Sequence, residues 1–445
     1  MGEDPFNAIE KKSESPEVYY EEPTTGSPES VEKLITKMTA LFASDGPFTE
    51  VNSLPSEIDR GPALRLLQAL NDKRQTAIDS GVRAPDMKNW INNHTDRLRL
   101  DNSVPYFFGA EQVTCLSFAS YISDVRIVRQ LVEAGCDVRA RDSLGRTPLH
   151  CSCQSDIDAN SKVLFLLQCD VSLVNATDYY NNAPLHYATD KNSSDVVKTL
   201  LDHGADVDAR GQLGITALHI ASKQGYVVCI HELMDGGANI EAGDNKLEAT
   251  PLRLAAEFNH PISVQTLIAI YKASINATNK NGDNALHRAS TEGHDKVIKT
   301  LLSFDNCDVN ARGQLGRTAL HCACYKGHVA CVHELVAGGA QIEAKESERE
   351  GTPLHLAAYF NHPDIVKTLV YDYKASINAM TKDRSTVLHC AAFSGNTYVV
   401  RLLVSNPQCD VPIRDKNGDT AADYARRRGH QNIVALLKLN IKGKL

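Results

Sequence analysis

The stretch Thr147-Pro148-Leu149-His150 returns along the chain, intact or with one or two substitutions, about every 33 residues. An alanine and an apolar, helix-like segment follow most copies. The further copies are Ala183-Pro184-Leu185-His186, Thr216-Ala217-Leu218-His219, Thr250-Pro251-Leu252-Arg253, Asn284-Ala285-Leu286-His287, Thr318-Ala319-Leu320-His321, Thr352-Pro353-Leu354-His355 and Thr386-Val387-Leu388-His389. Repetition at this period predicts a stack of small units in place of separate globular domains.

The full pattern is Gly-x-Thr-Pro-Leu-His-x-Ala, an apolar helix, and then Gly-Ala-x-x-Asn-Ala; it resembles the ankyrin repeat. Degenerate copies at Thr114-Cys115-Leu116-Ser117 and Thr420-Ala421-Ala422-Asp423 open and close the array, giving about ten repeats. The resemblance implies an all-α solenoid with short β-hairpin fingers. In such a solenoid each repeat contributes one finger and two antiparallel helices.

Local chemistry supports this interpretation. A Thr hydroxyl can cap free N–H groups at a helix start, and Pro is tolerated in the first turn, where no donor is needed. Leu and Ala at the next positions are expected to be buried between neighbouring repeats. Gly225, Gly293, Gly327 and Gly395 stand where the chain must turn sharply between helices.

A second period lies over the first. The segment that begins at Gly211 matches the one that begins at Gly313, an offset of 102 residues or three repeats. Both copies of the middle repeat carry an extra residue, before Thr250 and before Thr352. A block of three repeats therefore looks duplicated.

The flanks differ in composition from the repeats. We predict a disordered acidic tail at 1–30, a helical N-terminal region at 31–112, the repeats at 113–440 and a short C-terminal tail at 441–445. Residues 1–30 carry eight acids against two lysines, in a chain of net charge −8. The repeats together are then nearly neutral, which argues against nucleic-acid binding.

No membrane span or signal peptide is recognisable in the sequence, so we expect a cytoplasmic protein, with a nuclear location as the alternative. No phosphate-binding, metalloprotease or hydrolase motif occurs in a suitable context. The seven histidines that follow Leu recur at one structural position, which favours a structural hydrogen bond over a metal ligand. We therefore predict no catalytic residue, cofactor or metal.

Protein partners should contact positions that the repeat framework leaves free. At several finger tips the residue is apolar where a turn favours polar residues. Aromatic residues end several first helices, and arginines enter three fingers, a composition typical of binding hot spots. The candidates are Leu144, Tyr180, Leu213, Leu247 and Leu315 at the tips; Phe258, Tyr325, Tyr359, Phe360 and Phe393 at the helix ends; and Arg141, Arg210 and Arg312.

Packing of these rings on neighbouring repeats is the competing explanation. The sequence favours a noncatalytic scaffold or adaptor that binds other proteins on the concave face and finger tips, mainly between about 211 and 414. One alternative is an effector whose activity lies in residues 31–112. Another is a transcriptional regulator like the NF-kappa-B inhibitors, although Ala84 replaces the second Ser of their degradation signal.

Overall fold

The computed structural model describes residues 98–99, 112–133 and 135–443. Among these, the residues up to Leu144 belong to one compact unit and those from Gly145 onward to another. The predicted acidic tail and most of the predicted helical region at 31–112 lie outside the described residues. None of the helices in the described ranges has both the length and the apolar character needed to cross a bilayer.

Twenty helices fill the described residues and form ten consecutive pairs, as ten repeats require. The first helices of the pairs are α1 (Cys115–Ile122), α3 (Pro148–Cys153), α5 (Pro184–Asp190), α7 (Ala217–Gln224), α9 (Pro251–Glu257), α11 (Ala285–Glu292), α13 (Ala319–Lys326), α15 (Pro353–Tyr359), α17 (Val387–Phe393) and α19 (Ala421–Arg427). The second helices are α2 (Val125–Glu133), α4 (Ala159–Cys169), α6 (Ser194–Asp202), α8 (Val227–Asp235), α10 (Pro261–Ala269), α12 (Asp295–Leu302), α14 (Val329–Ala337), α16 (Pro363–Lys367, continued as a π-helical turn to Asp372), α18 (Thr397–Val404) and α20 (Gln431–Gly443).

The first unit is small in its described part. Helices α1 and α2 pack on each other, and Leu98–Arg99 pairs in antiparallel fashion with Gln112–Val113. In the second unit each first helix packs on the next first helix, and each second helix packs on the next second helix. The repeats of the second unit therefore stack side by side, and none of them has to form a core alone.

The seven first helices that carry the motif histidine start in the same way, and the histidine links most of them to the next repeat. In α7 the Thr216 N–H donates to His219 Nδ1 (3.2 Å), and the Thr216 hydroxyl lies 2.8 Å from the same nitrogen. The opposite nitrogen, His219 Nε2, donates to the carbonyl of Ala249 in the following finger (2.9 Å). Equivalent inter-repeat bonds confirm the predicted structural role for His150, His186, His287, His321 and His389.

Apolar side chains from both helices of a pair form the core. Leu218 and Ala221 of α7 and Ile230 and Leu233 of α8 are completely buried. Burying one such Leu or Ile side chain contributes about 1.5–3 kcal/mol. A single repeat buries too few of these side chains to offset the conformational entropy that its chain loses on folding. Stacking supplies the remaining burial.

The fingers are tight turns with little strand pairing. From Asp178 onward, one backbone hydrogen bond joins the two arms of each finger, as between Gly211 N and Ile215 O (2.9 Å), and strand pairing in these fingers is limited to isolated bridges. In the two fingers with the extra residue the bond spans five positions, from Asp244 to Ala249 and from Glu346 to Gly351. The insertion is thus absorbed inside the finger, where the carboxylate of Asp244 or Glu346 accepts several backbone N–H groups.

Glycine at the turn between helices is needed both for its backbone angle and for space. Gly327 has φ +89°, and a Cβ there would lie 2.6 Å from the ring of His362, which donates to the Tyr325 carbonyl (2.9 Å). We expect Gly327→Ala to cost about 2–3 kcal/mol of unfolding free energy, through strain plus the disturbed bond. Gly339 has φ +90° and open space, so Gly339→Ala should cost only about 1–2 kcal/mol. Urea unfolding followed by circular dichroism compares them; equal losses would show that the His362 contact does not matter.

Candidate protein-binding surface

Two predicted tip residues stand out by their backbone. Leu213 and Leu315 adopt φ near +58° and +59°, in the left-handed region that disfavours side chains other than Gly and Asn. Their carbonyls accept the N–H groups of Asn245 (2.9 Å) and Ser347 (2.8 Å) in the next finger. Their side chains, in contrast, are 62% and 38% exposed. The backbone of these tips therefore stabilises the contact between neighbouring repeats, whereas the leucine side chains have no evident structural role.

The other predicted tip residues are less uniform. Tyr180 is exposed, together with its neighbour Tyr179, which the sequence interpretation overlooked. Leu247 is half-buried in the finger that holds the extra residue. We call Tyr180, Leu213, Leu247 and Leu315 the tip row. Leu144 belongs to the first unit, where it is half-buried.

The predicted arginines hold fingers in place. Arg210 donates to the Gly243 carbonyl (2.9 Å), and Arg312 donates to the carbonyls of Gly316 (2.9 Å) and Lys345 (2.6 Å). Each guanidinium thus bridges to the following finger and fixes the position of the tips. Arg141 is exposed and lies in the first unit.

Four of the predicted helix-end residues come together. Tyr325 meets Phe360 edge to face at 4.5 Å between ring centroids, Phe360 meets Tyr359 at 4.9 Å, and Tyr359 stacks on Phe393 at 6.0 Å. Phe393 in turn lies 6.1 Å from Tyr424, whose hydroxyl donates to Asp415. We call Tyr325, Phe360, Tyr359 and Phe393 the aromatic row. All four rings are half-buried, so each ring packs on its neighbours and also exposes part of its surface to solvent.

The aromatic row and the tip row are separate. The tips precede the first helices, whereas the rings stand at the ends of these helices. A helix of eight residues rises about 12 Å, which is roughly the distance along the surface from one row to the other. A partner that touches both rows has to span this distance.

Phe258, the fifth predicted helix-end residue, stands apart from the aromatic row. It is 43% exposed, and the ammonium of Lys223 lies 4.9 Å from its ring centroid. Beside it is an ion cluster that the sequence interpretation missed. Glu257 accepts from Arg253 (2.8 Å) and from Arg288 (2.7 Å).

The charged cluster has a recognisable origin in sequence. Arg253 takes the place of the motif histidine, and Glu257 follows it by one helical turn. Arg253 is only 4% exposed, and its burial lowers its pKa, an effect that the carboxylate of Glu257 opposes. Arg288 also pairs with the more exposed Glu292 (2.9 Å). The cluster links neighbouring first helices α9 and α11.

The duplicated blocks have diverged at these free positions. At the offset of 102 residues, Lys223, Glu257 and Thr291 in the first copy correspond to three rings in the second. Those rings are Tyr325, Tyr359 and Phe393. The framework is retained, but one copy presents ionic and polar groups where the other presents aromatic groups.

Charge is also distributed unevenly along the repeats. Residues 384–445 contain ten Lys and Arg and four Asp, which gives +6 in a chain of net charge −8. The near-neutral total of the repeats conceals this basic end. Exposed Arg428 places its guanidinium carbon 4.5 Å from the ring centroid of Phe393 in the aromatic row.

Histidine and cysteine show no grouping suited to metal binding in the described ranges, where no three His, Cys, Asp or Glu side chains converge. Burial raises the pKa of the Cys322 thiol to about 11, and the eleven cysteines whose side chains the structure describes carry free thiols. Buried neutral thiols behave as small apolar side chains.

The comparisons with known proteins agree with the stacked architecture. A family model described as "Ankyrin repeats (3 copies)" matches residues 116–211, 207–279, 254–346, 286–381 and 354–444. B-cell lymphoma 3 protein of Homo sapiens is 31% identical over 169 residues, covering 37% of this chain and 36% of the relative. Neurogenic locus notch homolog protein 1 of Mus musculus is 34% identical over 141 residues, covering 32% of this chain and 6% of the relative.

The chain thus spans about a third of the B-cell lymphoma 3 protein and a small part of the notch protein. The family model, in contrast, covers the described residues almost from end to end. Together with the nine helix pairs that stack in the second unit, this coverage means that the chain belongs to the ankyrin-repeat family of protein-binding modules.

Proposed function

We propose that this protein is a noncatalytic scaffold or adaptor of the cytoplasm, which holds partner proteins along its tip row and aromatic row. The observation that carries the proposal is the exposed leucine at a left-handed tip position, present in both copies of the duplicated block. Leucine there is unfavourable for the backbone and for solvation alike. A partner that covers the side chain would offset both costs.

The fixed geometry of the fingers supports the same function. Backbone bonds from Asn245 to Leu213 and from Ser347 to Leu315 order the tips before any partner arrives, and so do the bridges from Arg210 and Arg312. A preorganised surface loses little conformational entropy on binding, so more of its contact energy appears as affinity. Apolar and aromatic groups on such a surface are the composition of binding hot spots.

The tips offer a test in which binding and folding should change in opposite directions. Asn tolerates the left-handed region, so Leu213→Asn with Leu315→Asn should leave the full chain as stable as before or more stable by up to about 1–2 kcal/mol. The same change removes two exposed apolar anchors. Partners recovered by affinity purification of the tagged full chain should therefore decrease severalfold, as measured by quantitative mass spectrometry.

A matched control is Ile262→Asn, which removes an apolar side chain about as exposed as Leu213 (66% against 62%) from the second helix α10. It should leave the recovered partners unchanged. Equal loss with the control, or retention of all partners by the Leu213 and Leu315 variant, would contradict a binding role for the tips.

A further inference from the structure

We propose that the aromatic row, together with the cations Arg317, Lys326 and Arg428, binds an extended acidic peptide that also carries apolar side chains. This inference rests on the scaffold function proposed above and specifies the chemistry of the partner. The four rings of the aromatic row supply the apolar contact. The three cations lie against the rings and supply the charge.

The first support is the position of the cations. The Lys326 ammonium lies 5.2 Å and the Arg317 guanidinium carbon 5.7 Å from the centroid of Tyr325. The Arg428 guanidinium carbon lies 4.5 Å from that of Phe393. The two ends of the row therefore carry positive charge next to half-buried rings. A peptide laid along the row can place a carboxylate at each end and apolar side chains between them.

The second support is that these charges are not already neutralised. Within the described part of the chain, Arg317, Lys326 and Arg428 take part in none of the ion pairs, which elsewhere join Arg427 to Asp419 and Arg426 to Asp423. The buried Nε–H of Arg317 also lacks a hydrogen-bond partner there. Uncompensated cations beside an apolar surface favour an anionic ligand and reject a cationic one.

The duplicated block provides an internal comparison. In the first copy the equivalent region holds Arg253 and Arg288, but Glu257 and Glu292 neutralise them. Exchange of Glu257 for a ring at Tyr359 removes the acid from the second copy. The second copy therefore combines a row of contacting rings with positive charge at both ends, whereas the first copy has the single ring of Phe258 beside Lys223.

Nucleic acid is the other polyanion that could be considered, and the ring geometry disfavours it. Single-stranded nucleic acids are bound by stacking bases on free aromatic faces along a basic channel. Here Tyr325 and Tyr359 each meet Phe360 edge to face, and the faces of Tyr359 and Phe393 are directed at each other. Three unpaired cations are also few for a backbone with one charge per nucleotide.

The test uses the full chain and a fluorescein-labelled peptide of about ten alternating Glu and Leu residues, with Lys/Leu and Ser/Leu peptides and an oligothymidine as comparisons. Fluorescence anisotropy should show preferential binding of the Glu/Leu peptide, weakening as salt rises. Lys326→Gln with Arg428→Gln should weaken that binding about tenfold at low salt. Phe393→Thr should weaken it by a similar or larger factor, and Thr is the residue at the equivalent position 291.

The control is Lys223→Gln, which removes the cation beside Phe258 outside the aromatic row and should leave affinity unchanged. The two Gln variants alter exposed side chains, so their result stands even if Phe393→Thr perturbs folding. Absence of peptide binding, equal binding of all three peptides, tighter binding of the oligothymidine, or equal loss with Lys223→Gln would overturn the proposal. If tip-dependent partners are still recovered in that case, the scaffold function stands and only this assignment fails.

Discussion

Glu257→Ala is expected to destabilise the protein by about 3 kcal/mol or more, which would be among the largest effects of any single change at a helix end. The carboxylate accepts from Arg253 (2.8 Å) and from Arg288 (2.7 Å). Because Arg253 is only 4% exposed, removal of Glu257 leaves a nearly buried guanidinium without its counterion. Breaking such a pair on one side typically costs about 3–5 kcal/mol. Urea unfolding of the full chain gives the difference.

Two further variants make this prediction specific. Glu292→Ala removes the more exposed partner of Arg288 and should cost less than about 1 kcal/mol, because solvent screens that pair. The double change Arg253→His with Glu257→Tyr installs the residues found at the equivalent positions 355 and 359. It removes both charges together and should recover most of the stability lost in Glu257→Ala. A double variant as unstable as the single one, or a loss below 1 kcal/mol for Glu257→Ala, would contradict the argument.

The repeat framework could be predicted because its determinants are local. Thr216 and His219 lie three positions apart, and Gly225 sits at the turn that needs a positive φ, so a window of about ten residues contains the whole requirement. Even the extra residue before Thr250 and Thr352 could be located, since it belongs to one finger. The fingers contain less strand pairing than expected, because one hydrogen bond suffices to close so short a turn.

The surface was harder to predict, because its properties depend on residues from different repeats. The rings of Tyr325, Phe360 and Phe393 were recognisable as candidates, but their mutual contacts depend on how three repeats stack. Phe258 occupies the same repeat position as Phe360 and yet stands beside Lys223, since its neighbours in the first block are polar.

Two features of the surface could have been predicted from the sequence but were not. Arg253 replaces the motif histidine and is followed at helical spacing by Glu257, which is a signal for a buried ion pair. The net charge of the repeats is a sum that hides the positive end at 384–445. In both cases the informative quantity is a departure from the repeat average at a particular place.

Acidification from pH 7 to pH 5 is expected to weaken the stack strongly, through the motif histidines. Burial lowers the pKa of His321 to about 3 and that of His355 to about 4. Both therefore stay neutral in the folded protein at pH 5, whereas in the unfolded chain they are protonated below about pH 6.5. The unfolded state then binds more protons than the folded state. The contribution of these histidines to the unfolding free energy is therefore greatest above pH 6.5 and decreases as the pH drops toward 4. At pH 5 the loss is about 2 kcal/mol for each of the two.

The hydrogen bonds explain why the ring must remain neutral. His321 Nδ1 accepts the Thr318 N–H (3.2 Å), and its Nε2–H donates to the Gly351 carbonyl in the next finger (3.2 Å). A second proton would turn Nδ1 into a donor facing another donor, so a charged ring breaks the bond at the helix start and strains the one between repeats. His321→Asn cannot titrate, and we expect the stability gap between wild type and this variant to shrink by about 2 kcal/mol from pH 7 to pH 5. Urea unfolding at both pH values, repeated in 0.5 M NaCl to screen general charge repulsion, measures that gap; a gap independent of pH would show that the motif histidine does not control acid stability.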